Sequence, residues 1–122
     1  MEMNLHYVTD NQFTKYSDHS VTVNNQDFNS SIVVTNSKIS PISINKIEEL
    51  KSATMLELIQ FSPDLILFGT GDKIVYPNSD VVKLLQKHAI GFEVMSIQAL
   101  CRTYNFLVSE GRRIACILIF ME

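Results

Sequence analysis

The chain has 122 residues, enough for one domain with a core of its own and no need of disulfide or metal staples. Hydrophobic residues make up 46% and charged residues 19%, the balance of a globular protein. The formal net charge of −3 speaks against a dedicated nucleic-acid binder, which carries a basic surplus.

Met1-Glu2-Met3-Asn4-Leu5-His6 has neither the basic and apolar regions of a signal peptide nor the Arg-rich pattern of a mitochondrial transit peptide. The longest apolar run, residues 114–121, is far short of the roughly 20 residues that span a bilayer as a helix. The expectation is a cytoplasmic chain, residues 1–122, without membrane insertion.

Residues 5–8 and 20–23 have strand composition. Asn24-Asn25-Gln26-Asp27 predicts a turn between Val23 and Phe28, because Asn and Asp tolerate turn backbone angles. Residues 31–35 predict a strand, and Asn36-Ser37 a tight turn into a strand at 38–40 that Pro41 ends. Residues 46–51 predict one helical turn at most. Ser52 is the expected N-cap of a helix over 53–61, broken at Pro63.

Residues 64–68 are apolar without alternation and predict a central strand covered on both faces. Gly69-Thr70-Gly71-Asp72 is the loop after it. Asn78 or Ser79 caps a helix to about His88, with Val81, Leu84 and Leu85 inward and His88 at the margin. Gly91 closes the next turn, and residues 92–95 predict a second central strand. Ser96 caps a helix to about Ser109 whose stripe is Ile97, Leu100, Cys101, Tyr104 and either Leu107 or Val108. Gly111 stops it, and residues 113–120 form the last strand, in either direction. The alternation of strands and helices from residue 64 onward predicts an α/β domain, with helices on a largely parallel sheet.

Gly69-Thr70-Gly71 stands where α/β proteins bind ligands, and its glycines free the backbone to meet an anion. A sharp turn that needs glycine angles is the structural alternative. All three arginines, Arg102, Arg112 and Arg113, fall in one window. Gln98, Arg102, Asn105 and Ser109 share a helix face by spacing, which suits a partner or ligand surface. A solvated face with one pairing, such as Glu110 with an Arg, is the structural alternative. Tyr104 is expected in the core with its hydroxyl at the edge.

Cys101 and Cys116 read as buried, reduced, small hydrophobes. His6, His19 and His88 are scattered, so no metal site and no cofactor is implied. No nucleophile elbow or catalytic carboxylate pair is legible.

Three stretches are distinctive together: Pro63-Asp64-Leu65-Ile66-Leu67-Phe68-Gly69-Thr70-Gly71, then Gly91-Phe92-Glu93-Val94-Met95, then Cys101-Arg102-Thr103-Tyr104-Asn105 followed by Glu110-Gly111-Arg112-Arg113. In this order they resemble the mitochondrial complex I assembly factor 3 family, which includes bacterial and archaeal members. The resemblance implies a three-layer α/β fold with a mixed central sheet, here with N-terminal β hairpins, and a role in assembling respiratory complex I in mitochondria. The chain departs from the family's usual pattern at Ser96, Ile97 and Leu100.

The expectation is a non-catalytic assembly or interaction module with protein partners and with self-association open to it. The alternative is a small-molecule or anion-binding domain, with enzymatic activity open to it, that uses the Gly69-Thr70-Gly71 loop and the nearby arginines. Either would use Gly69, Thr70, Gly71, Arg102 and Asn105.

Overall fold

The structure is a computed structural model that describes residues 10–71 and 73–120. The strand expected at 5–8 lies outside the described residues. The chain opens with a three-stranded antiparallel sheet, β1 (Phe13–Tyr16), β2 (Val21–Val23) and β3 (Gln26–Phe28). The turn between β2 and β3 is tighter than expected. Asn24 (φ 51°) and Asn25 (φ 73°) make it alone, in the left-handed region that Asn enters more readily than most residues. Gln26 and Asp27 are therefore free to pair with Val23 and Thr22.

The main sheet has five strands in the order β5-β4-β8-β6-β7. They are β4 (Ile32–Thr35), β5 (Ile39–Pro41), β6 (Leu65–Gly69), β7 (Gly91–Met95) and β8 (Ile114–Leu118). β6 runs parallel to β7 and β8, whereas β4 is antiparallel to β8 and β5. The sheet is mixed, as the resemblance implies. The open direction of the last strand is resolved by its two neighbours: β8 inserts between β4 and β6. That position explains its unbroken apolar run, since every residue of β8 is buried. Ile119 and Phe120 continue past the strand, their N–H groups donating to the Gly69 carbonyl (2.8 Å) and the Ser31 hydroxyl (3.0 Å).

Residues 92–95 were expected in a central strand, but among the described residues β7 is an edge strand paired to β6 alone. Because β8 takes the other flank of β6, β7 keeps one side open, and Glu93 stands exposed on it.

Three helices and one short turn complete the layers. The 3-10 turn Ile47–Glu49 and helices α1 (Ser52–Gln60) and α2 (Ser79–Lys87) cover one face, where Met55, Leu58, Val81 and Leu85 meet Ile66, Phe68 and Ile117. Helix α3 (Ile97–Ser109) and the small sheet cover the other, where Ile97, Leu100 and Tyr104 meet Leu67, Cys116 and Val23. Among the described residues, no helix is long and apolar enough to cross a membrane.

Two caps form as expected and two boundaries shift. Asn78 accepts from Val81 N–H (3.0 Å) and Ser96 from Ala99 N–H (3.2 Å). Ser52, by contrast, is the first residue of α1; Lys51 is the N-cap and gives no side-chain bond. The helix depends instead on its buried Met55 and Leu58. Gly91 begins β7 instead of closing the turn before it; Ala89 takes the left-handed conformation (φ 56°). Gly111, at φ 82°, does follow α3 as a stop.

Tyr104 is more deeply placed than an edge position. It is fully buried, its ring meets Phe13 edge-on at 5.2 Å, and its hydroxyl donates to the Asn11 carbonyl at 2.9 Å with the Thr35 carbonyl at 3.3 Å.

Cys101 and Cys116 are free and buried. Burial pushes the Cys101 thiol up to about 12, against a small opposing pull from Arg102, and raises Cys116 as well. Both therefore stay protonated and shielded. A thiol reagent at mildly alkaline pH should leave the native protein unlabelled and modify both residues once urea unfolds it. Fast labelling of either in the native state contradicts the packing described.

Candidate functional site

Gly69 ends β6, and its carbonyl accepts from Ile119 N–H. A methyl group placed on it would lie 3.0 Å from Leu100 Cδ1 and 3.3 Å from Ile97 Cγ1. The missing side chain lets α3 approach the strand, so Gly69 is a packing position. Ile97 and Leu100, two of the three departures from the family pattern, occupy the space above it.

Thr70 is 2% exposed. Its N–H donates to the Met95 carbonyl (3.1 Å), its hydroxyl donates to the Lys73 carbonyl, and the same oxygen accepts from Val75 N–H (3.3 Å). Gly71 adopts φ 83° and accepts from Ile97 N–H (3.3 Å). The three residues form a corner joining β6, the end of β7 and the start of α3. An anion cradle needs free N–H groups, and those of Thr70 and Ile97 are engaged.

The corner directs the extended segment 73–78. Val75 packs inward and Pro77 is buried, while Ile74 and Tyr76 alternate outward and are 53% and 65% exposed. This pair was not singled out in the sequence. The signal was present as four consecutive apolar residues, Ile74-Val75-Tyr76-Pro77, between the 69–72 loop and the next helix.

Arg102 is exposed one and a half turns into α3, about 7 Å along the axis from Ile97. It makes no hydrogen bond, ion pair or ring contact among the described residues. Asn105 was expected beside it but flanks the helix toward β1. Its Oδ1 accepts from Phe13 N–H (3.0 Å) and its Nδ2 donates to the Phe13 carbonyl (2.8 Å), so the amide pairs with β1 as a neighbouring strand would. Of the five residues, the fold brings Gly69, Thr70 and Gly71 together and sets Arg102 and Asn105 apart. Three surface grooves among the described residues, of about 530, 510 and 220 Å³, are lined by other residues.

The arginine window also separates. Arg113 lies over the Phe61 ring at 4.0 Å and donates to the Phe61 and Ser62 carbonyls, closing the C-terminal end of α1. Arg112 pairs with Asp64 at 3.6 Å, not with Glu110. Both partners are about half exposed, so the pair contributes at most about 1 kcal/mol. Among the described residues, no His, Cys, Asp or Glu group could hold a metal.

These placements order four substitutions by urea denaturation. Gly69→Ala should cost about 1–3 kcal/mol through overpacking against Leu100 and Ile97. Asn105→Ala should cost about 1–3 kcal/mol by leaving the Phe13 backbone unpaired. Gly71→Ala meets open space and should cost about 1 kcal/mol, from its positive φ. Arg102→Ala should change stability by no more than about 0.5 kcal/mol. A large loss at Arg102 would make it structural.

Residues 13–119 match the family described as "Protein of unknown function (DUF498/DUF598)". The chain is 32% identical over 76 residues to the "13 kDa major membrane protein" of Francisella tularensis subsp. holarctica (strain LVS), covering 62% of each. It is 27% identical over 81 residues to "NADH dehydrogenase [ubiquinone] 1 alpha subcomplex assembly factor 3" of Drosophila melanogaster, covering 63% of this chain and 41% of that protein. It thus spans less than two thirds of the length of either relative. An NMR structure from Xanthomonas campestris, 30% identical, superposes with a TM-score of 0.81 over 90% of this chain and 84% of that one. The chain belongs to the DUF498/DUF598 family and is similar both to animal complex I assembly factor 3 proteins and to bacterial proteins such as these.

Proposed function

We propose that the chain is a non-catalytic interaction module that serves the assembly of a protein complex, binding a protein partner through the surface of Ile74 and Tyr76. The observation that carries this reading is the pair of large apolar side chains held in solvent by a braced loop. Exposed aromatic and aliphatic anchors on a pre-ordered backbone suit protein recognition, because little ordering entropy is lost on docking. Gly69, Thr70 and Gly71 shape the surface from behind. The internal use of their polar groups favours this over an anion site.

The assembly role draws support from kinship with the animal assembly factors, although the aligned region covers 41% of the Drosophila protein. Complex I as the object of assembly, and the cytoplasm as the place of work, belong to the proposal.

Affinity capture from native cells tests it, with the wild type beside an Ile74→Ser/Tyr76→Ser variant. The expected result is a stoichiometric partner on the wild type and about tenfold less on the variant, at an unchanged melting temperature. Equal recovery on both, or no partner on the wild type, overturns the proposal.

A further inference from the structure

Helix α3 buries Ile97, Leu100, Cys101, Tyr104 and Val108 and turns an opposite face to solvent. That face holds one i, i+4 ridge: Gln98, Arg102, Phe106 and Glu110, all exposed. Phe106 is 63% exposed, an expensive place for a phenyl ring. One turn before it stands the guanidinium of Arg102, unpaired among the described residues. Although they are neighbours on the ridge, Arg102 does not cover the Phe106 ring; the ring it would suit is left open.

The order of the four residues is self-complementary. When two copies of the ridge lie antiparallel about a two-fold axis at the level of Tyr104, Arg102 of each copy faces Phe106 of the other. Gln98 of each then faces Glu110 of the other. Every contact occurs twice, as an isologous interface requires. The guanidinium gains a ring face, and the Gln98 amide can donate to the Glu110 carboxylate. A parallel arrangement would instead set Arg102 against Arg102 and Glu110 against Glu110, which repel. Antiparallel pairing is thus the one of the two that the charges permit.

We propose that the outer face of α3 is an interface with a second copy of this chain, formed by antiparallel packing that reciprocally places Arg102 on Phe106 and Gln98 on Glu110. The helix has 13 residues, so each copy offers about 20 Å of ridge. A contact of that length makes a small, reversible dimer. It uses none of the residues of the Ile74 and Tyr76 surface, and it stands or falls separately from the proposed assembly role.

Sedimentation velocity across a concentration series, up to about 1 mM, reads the association directly. The wild type should pass from monomer to dimer. Phe106→Lys places a cation against Arg102 of the other copy and should raise the dissociation constant by about tenfold or more. The double variant Arg102→Glu/Phe106→Lys restores opposite charges across the same axis and should recover the dimer. Both positions are exposed, so circular dichroism and the melting temperature should stay as in the wild type. A wild type that remains monomeric throughout overturns the proposal, as does a Phe106→Lys variant that dimerises normally. Loss in the single variant without recovery in the double overturns the antiparallel pairing.

Discussion

The fold turns on two adjacent residues of α3, Tyr104 and Asn105, and the stretch of backbone they hold. The Tyr104 hydroxyl takes the Asn11 carbonyl, and the Asn105 amide takes both polar groups of Phe13. Asn11 in turn donates through its side chain to the Thr35 and Lys38 carbonyls and accepts from the Asn24 amide. One short segment thereby ties α3, the three-stranded sheet and the β4–β5 turn into a single unit. Burying so many polar groups is tolerable because they satisfy one another, and each broken bond would leave a partner stranded. A sheet of three short strands has little stability alone, so its attachment to α3 is what makes it part of the domain.

The remaining joints share that economy. Gly69 lets Ile97 and Leu100 settle directly on β6, and Gly71 hands its carbonyl to the first N–H of α3. At the opposite end of the strands, Arg113 closes α1 while the backbones of Asp64 and Arg113 bond at 2.7 Å. Strand β6 is therefore pinned at both ends. Gly69, Gly71, Arg112 and Arg113, which suggest ligand chemistry in a linear chain, are here consumed by the scaffold. What the scaffold leaves over includes large apolar side chains: Leu56 on α1, Ile74 and Tyr76 on the braced loop, and Phe106 on α3. A surface of that character suits protein contacts better than small-molecule chemistry.

The candidate site was legible only in part. Gly69-Thr70-Gly71 was visible as a corner after a strand, because its glycines announce a backbone constraint. Whether that constraint serves a ligand or a helix depends on Ile97 and Leu100, whose arrival at Gly69 is a matter of packing. Helical spacing assigned Arg102 and Asn105 to one face, yet they differ in angle enough that one meets solvent and the other meets β1. The strand that claims Asn105 lies some 90 residues earlier in the chain, and no local pattern encodes that meeting. The three arginines form a cluster only along the chain, since the Gly111 turn separates Arg102 from the other two.

From the sequence alone came the elements that local chemistry governs: the Asn78 and Ser96 caps, the stop at Gly111, the stripe of α3, and the apolar strands expected at 64–68 and 113–120. Periodicity and capping act within a few residues, so they survive folding unchanged. The order of strands, the edge position of β7, the direction of β8 and the partner of Asn105 were decided by tertiary structure. Each depends on which distant segment fills a given flank, and that is settled by burial of the whole apolar surface at once.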